Sequence, residues 1–146
     1  MASDIDEKLR ERVARRAGFR CEYCLLHEED SFFPHQVDHI VSRKHGGESV
    51  EENLAYSCMR CNAWKGSDLG SLHPSTGELI RFFHPRRQRW SDHFRLAGPI
   101  LEPLTPEATV TARVLRLNLD KRVAERRLLI ALGRYPRVSE PIVPHE

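Results

Sequence analysis

All four cysteines of the 146-residue chain fall in two C-x-x-C pairs, Cys21 with Cys24 in "CEYC" and Cys58 with Cys61 in "CMRCN". No other feature limits the fold as strongly. In a reducing interior, thiols at this spacing read as metal ligands rather than disulfides. Two intervening residues let both sulfurs turn inward at one tight knuckle, and two knuckles supply four thiolates to a tetrahedral zinc ion. A redox dithiol needs a single pair, and here no cysteine is left over. His27, three residues after Cys24, is an alternative ligand that four thiolates make unnecessary.

The pairs are separated by 33 residues, so the clasp closes a loop with its own structure. Val37–Val41 is rich in β-branched residues and reads as a short strand. Gly46-Gly47 marks a turn. In "SVEEN", Ser49 stands three residues before Glu52, a helical-turn cap signal. "LAYS" (54–57) reads as a second strand, and "MRCNAWKGSD" (59–68) as a helix that starts at the second knuckle. A small domain can use such a metal clasp where its apolar core is limited.

The pattern "CEYC … VDHIV … GG … ENLAYSCMRCNAWKGS" resembles the HNH endonuclease family, in its zinc-clasped branch. The resemblance covers about residues 18–70 and implies a ββα-metal finger of the α+β class. It places the family's His, Asn and final His or Asn at His39, Asn53 and Asn62. The family's role for Asn53 is to hydrogen-bond near His39 and hold the loop in shape. The chemistry of the remaining residues agrees with this. Phosphodiester hydrolysis needs an activated water and stabilisation of charge on the phosphate. His39 is the candidate general base, because a neutral imidazole takes a proton near pH 7. Asp38 and Asn62 offer oxygen ligands, which suit Mg²⁺ or Mn²⁺. Adjacent residues on a strand point to opposite faces, so Asp38 and His39 would act from different sides. Lys65, three residues after Asn62 on the same helix face, is a candidate phosphate contact. Many family members carry a proline shortly after the His-Ile step, where this chain has "VSRK"; Arg43 or Lys44 is then a candidate phosphate contact. His35 and His45 read as surface or DNA-proximal residues.

The flanks are less specific. "SDIDEKLRERVARRAG" (3–18) predicts a helix begun by Ser3 and Asp6, with Leu9 and Val13 on one face and Gly18 at its end. The stretch 81–95 holds five Arg against one Asp, with aromatic residues between them. It reads as a basic hairpin, "ELIRFFH" and "RWSDHFRL" joined by "PRRQ", with Arg86, Arg87 and Arg89 facing DNA. His84 and His93 read as packing or DNA-facing residues rather than a second metal site. "TPEATVTARVLRLNLDKRVAERRLLIALG" predicts two helices, the first opened by Thr105-Pro106, the second capped by Asn118 and ended by Gly133. The tail to Glu146 reads as extended. The expected organisation is an N-terminal helix with the zinc-clasped core over 1–70, and an extension over 71–146 packed on it.

The net charge is only +2, so nucleic-acid binding rests on the local basic stretch and not on bulk charge. No apolar run reaches the length of a membrane span, and the N-terminus lacks the apolar stretch of a secretory signal; a cytoplasmic location is expected. Two functions of different class follow. One is a metal-dependent endonuclease acting on double-stranded DNA. The other is a zinc-stabilised nucleic-acid-binding module whose catalytic set is unused; a purely structural zinc domain is a weaker third. The joint presence of Asp38, His39, Asn53 and Asn62 favours the enzyme.

Overall fold

Asp6 opens the first helix, α1 (Glu7–Arg16), by accepting from the Leu9 amide at 2.8 Å. The computed structural model describes residues 5–137, so Ser3 and the extended reading of 138–146 lie outside the described residues. Leu9 and Val13 pack with Ala14, Ala17, Leu54 and Tyr56 in a small apolar cluster, as their spacing predicts. Gly18, with φ of 65°, ends the helix. Arg16 donates to the carbonyls of Glu51 and Leu54, which ties α1 to the finger.

The finger itself is an antiparallel pair, β1 (Gln36–His39) with β2 (Leu54–Ser57), followed by α2 (Met59–Lys65). This is the ββα order expected from the sequence. Strand β1 stops two residues earlier than the apolar run suggests. The cause is Asn53: the Val41 amide bonds the Asn53 side chain instead of a neighbouring strand. Helix α2 ends at Lys65, three residues short of the predicted limit. Gly66 takes φ 52°, ψ −133° there, a conformation open to glycine and strained for other residues.

Beyond the finger, the expected hairpin over 81–95 does not form. Strand β4 (Leu79–Arg81) pairs back with β3 (Gly70–Leu72), and β5 (Phe94–Ala97) pairs forward with β6 (Ile100–Pro103). Between them lie a turn at 84–88 and a short helix, α3 (Trp90–His93). Gly70 fixes the first pairing: a Cβ there would lie 2.2 Å from the Ile80 carbonyl oxygen. The turn is held by His84, whose Nδ1 accepts from the Arg86 and Arg87 amides at 3.2 Å each. Phe83 leaves the sheet altogether, its amide captured by the Thr111 hydroxyl at 2.8 Å.

Helices α4 (Pro106–Val114) and α5 (Asp120–Ala131) complete the chain. Thr105 caps α4 and Pro106 occupies its first turn, as predicted. Asn118 does not cap α5. Its amide instead bonds both the N–H and the C=O of Leu101, at 2.9 Å each, and fastens β6. Gly133 ends α5 with φ of 72°. Phe82, Phe83, Phe94, Leu101, Val110, Leu115 and Leu117 share one buried core with all four cysteines. The apolar body of the extension and the cysteine cluster are therefore a single packing unit.

Burial, and then the positive charges of Arg87 and Arg81, push His84 down to about 4. A neutral imidazole is what the turn needs, since only its lone pair can accept the two amides. The unfolded chain therefore binds this proton more readily than the folded one. Its contribution to stability is complete above about pH 6.5 and falls as pH drops towards 4. Thermal melts of wild type and His84→Asn should differ most at neutral pH, with the gap closing between pH 6.5 and 4. A gap independent of pH would show that His84 does not titrate as described.

Candidate metal centre

Cys21, Cys24, Cys58 and Cys61 converge so that their sulfurs all lie within 4.8 Å of one another. Cys24 and Cys58 sulfurs are 3.7 Å apart. A tetrahedron with Zn–S bonds of about 2.3 Å has an edge of about 3.8 Å, so the spacing suits zinc. Each knuckle is shaped by N–H···S bonds. The Cys21 sulfur accepts from the Tyr23 and Cys24 amides, and the Cys58 sulfur from the Cys61 amide, each at 3.4 Å. Cys58 is at once a cluster member and the N-cap of α2. Burial pushes the Cys21 and Cys61 thiols well up, while hydrogen bonds from neighbouring thiols push Cys24 down. A bound dication supplies the charge that deprotonates all four. His27 is no ligand; its Nδ1 accepts the Glu29 amide at 3.1 Å and caps a 3-10 turn. Among the described residues, this is the one cluster of His, Cys, Asp or Glu able to hold a metal.

The surroundings of the cluster come from the C-terminal half, which the sequence did not reveal. Arg122 of α5 reaches the Cys61 sulfur at 3.3 Å and the Cys58 sulfur at 3.8 Å. Its guanidinium also lies over the Trp64 ring. A four-thiolate zinc site carries two negative charges, and a buried arginine offsets one of them. Tyr135 donates to the Cys24 carbonyl at 2.7 Å and Trp90 to the Tyr23 carbonyl at 2.9 Å. The first knuckle is thus closed from outside by two aromatic side chains. Only the wide sequence separation of these pairs hid them.

Next to the cluster, α2 lies across one face of β1. Asn62 Nδ2 donates to Gln36 Oε1 at 2.6 Å. Lys65 sits over Asp38, with Nζ 3.3 Å from Oδ1 and 3.2 Å from Oδ2. The same ammonium donates to the His39 carbonyl at 3.0 Å. Tyr23 donates its hydroxyl to Asp38 Oδ2 at 3.0 Å. Burial pushes the Tyr23 phenol well up, so the hydroxyl keeps its proton. Burial also pushes the Asp38 carboxyl up, against the pull of Lys65 and the Tyr23 bond.

His39 leaves β1 on the opposite face, as strand alternation requires. Its Nε2 lies 2.8 Å from the Ser49 hydroxyl. Ser49 therefore does not cap the following turn, which starts at Val50 without a side-chain cap. Asn53 fastens the loop between them. Its side-chain oxygen accepts from the Val41 amide, and its Nδ2 donates to the carbonyls of Val41 and Glu48, all at 2.9 Å. Gly46 turns the chain with φ of 89°, and Gly47 has no room for a side chain: a Cβ would sit 1.7 Å from the Val41 carbonyl oxygen.

Several residues read as surface contacts lie elsewhere. Lys65 is 2% exposed and meets Asp38 rather than solvent. The Arg86 side chain is 7% exposed and pairs with Glu22, because the turn at 84–88 folds it inward. His35 is buried, its Nε2 2.9 Å from the Leu26 carbonyl and its ring against Tyr56. His93 bonds Thr105 and packs on Phe83. Arg43, Lys44, His45, Arg87 and Arg89 are exposed.

Zinc analysis of the purified chain should give about one equivalent. A structural zinc contributes on the order of 10 kcal/mol in apparent terms, comparable with the whole stability of a small domain. Cys58→Ser should therefore abolish cooperative unfolding in thermal melts. A zinc-free protein with reduced thiols and an intact transition would exclude the metal.

Residues 21–68 match the family model of the HNH endonucleases. No curated protein and no solved structure matches the chain. Residues 21–68 carry the family pattern in its zinc-clasped form, with all four cysteines inside the matched segment, and no described helix is long and apolar enough to cross a membrane.

Proposed function

We propose that this HNH segment makes the chain a divalent-metal-dependent endonuclease that hydrolyses DNA phosphodiester bonds. The observation that carries the reading is the orientation of His39. Its imidazole projects from the end of β1, is held at Nε2 by Ser49, and borders a loop fastened by Asn53. A neutral imidazole accepts a proton near pH 7, and His39 takes it from the attacking water. Positioned bases of this kind contribute about 10²–10⁴-fold.

Asp38 and Asn62 are the proposed holders of the catalytic cation. Carboxylate and amide oxygens suit Mg²⁺ or Mn²⁺. A divalent ion there supplies charge stabilisation to the phosphate and to the leaving oxygen. Asn53 keeps the loop, and through it Ser49, at a fixed distance from the imidazole. Exposed Arg43, Lys44, Arg87 and Arg89 supply phosphate contacts on double-stranded DNA.

Plasmid cleavage by the zinc-loaded chain, with and without Mg²⁺ or Mn²⁺, tests the reading. His39→Ala should keep its zinc, its fold and most DNA affinity, yet lose about 10²–10⁴-fold in cleavage rate. Equal rates for wild type and His39→Ala would remove the base assignment. A second reading, a zinc-stabilised DNA-binding module without turnover, is favoured by the enclosure of Asp38, which is 5% exposed. It predicts strong, salt-sensitive DNA binding with no cleavage in any metal.

A further inference from the structure

The Lys65 ammonium has an unusual environment for a lysine. It lies inside the protein, bonded to both oxygens of Asp38 and to the His39 carbonyl, at 3.3, 3.2 and 3.0 Å. Three oxygens around one positive charge is a cation site with a cation already in it. We infer that Lys65 is a built-in counter-ion that competes with divalent metal for Asp38 and so sets how tightly the site takes that metal. The inference rests on the reading of Asp38 as a cation ligand, and it assigns Lys65 a role distinct from a phosphate contact.

Three observations support it. Both carboxylate oxygens are already engaged, Oδ2 by Tyr23 and Lys65 and Oδ1 by Lys65. A dication next to a retained ammonium would place two positive centres against one negative one in a site screened from water, where repulsion is strong. The ammonium therefore has to leave for the metal to bind. Its position permits this: Lys65 is the last residue of α2, and Gly66 follows in a conformation that ends the helix. A long flexible side chain at a helix end can swing out without moving Asn62, one turn earlier. A structural explanation alone is weaker, since a buried ion pair adds little stability over an apolar pair of the same volume.

Mn²⁺ binding to the zinc-loaded full chain, read by electron paramagnetic resonance of the free ion, tests this without reference to cleavage. Lys65→Met and Lys65→Gln remove the charge and should bind Mn²⁺ at least about tenfold more tightly than wild type. Lys65→Arg keeps the charge and should not gain. The tightened site should disappear when Asp38→Asn is combined with Lys65→Met. Should Lys65→Met fold poorly alone, Lys65→Gln melts decide: Mn²⁺ should raise its melting temperature more than that of wild type. If the neutral variants bind Mn²⁺ no better than wild type while Asp38→Asn weakens binding, Lys65 is not a competitor. If Asp38→Asn binds Mn²⁺ as wild type does, the cation-site reading itself falls, and the inference falls with it.

Discussion

Four sulfurs within one small sphere set the geometry of nearly everything else in this chain. The cluster joins the knuckle before β1 to the start of α2. Because Cys58 also caps α2, the direction of that helix is fixed by the cluster. Asn62 and Lys65 follow as consequences, placed over Gln36 and Asp38 on one face of β1. Without the clasp, the short β1–β2 pair would have little to hold it, since an isolated two-stranded hairpin is marginal in water.

The second half of the chain is arranged around the same centre. Arg122 approaches the sulfurs, while Trp90 and Tyr135 close the carbonyls of the first knuckle. Arg86 secures Glu22, whose other oxygen accepts the Tyr56 amide. These contacts come from four separate places in the extension. Trp90 and Tyr135 satisfy the carbonyls of Tyr23 and Cys24, and Arg122 brings positive charge to the sulfurs, as a buried site requires.

Some of this was legible in the sequence and some was not, for physical reasons. Paired cysteines, the Asp6 and Thr105 caps, and the glycine stops are local signals, and each appears where its chemistry places it. The hairpin expected over 81–95 failed because "LIRFF" can pair with either neighbour. The tight approach at Gly70 and the Thr111 hydroxyl decide it, and neither is adjacent in sequence. Charged side chains were the other blind spot. Lys65, Arg86, Arg122 and Arg126 are ordinarily surface residues. Each meets a partner distant in sequence: Asp38 is 27 residues from Lys65, Cys58 and Cys61 are 64 and 61 from Arg122, Pro99 is 27 from Arg126, and Arg86 pairs with Glu22.

Asn53 acts as a piece of substitute strand. By gripping the N–H and C=O of Val41 as a neighbouring backbone would, and Glu48 beyond it, one amide closes the loop at its base. The turn from Ser42 to Gly46 lies outside that closure, with Lys44 and His45 exposed on it. A chain built this way can exchange the exposed Lys44 and His45 while Asn53 keeps its grip on the base of the loop. What the tip of the loop touches is thereby open to change while one side chain, Asn53, keeps its base in place.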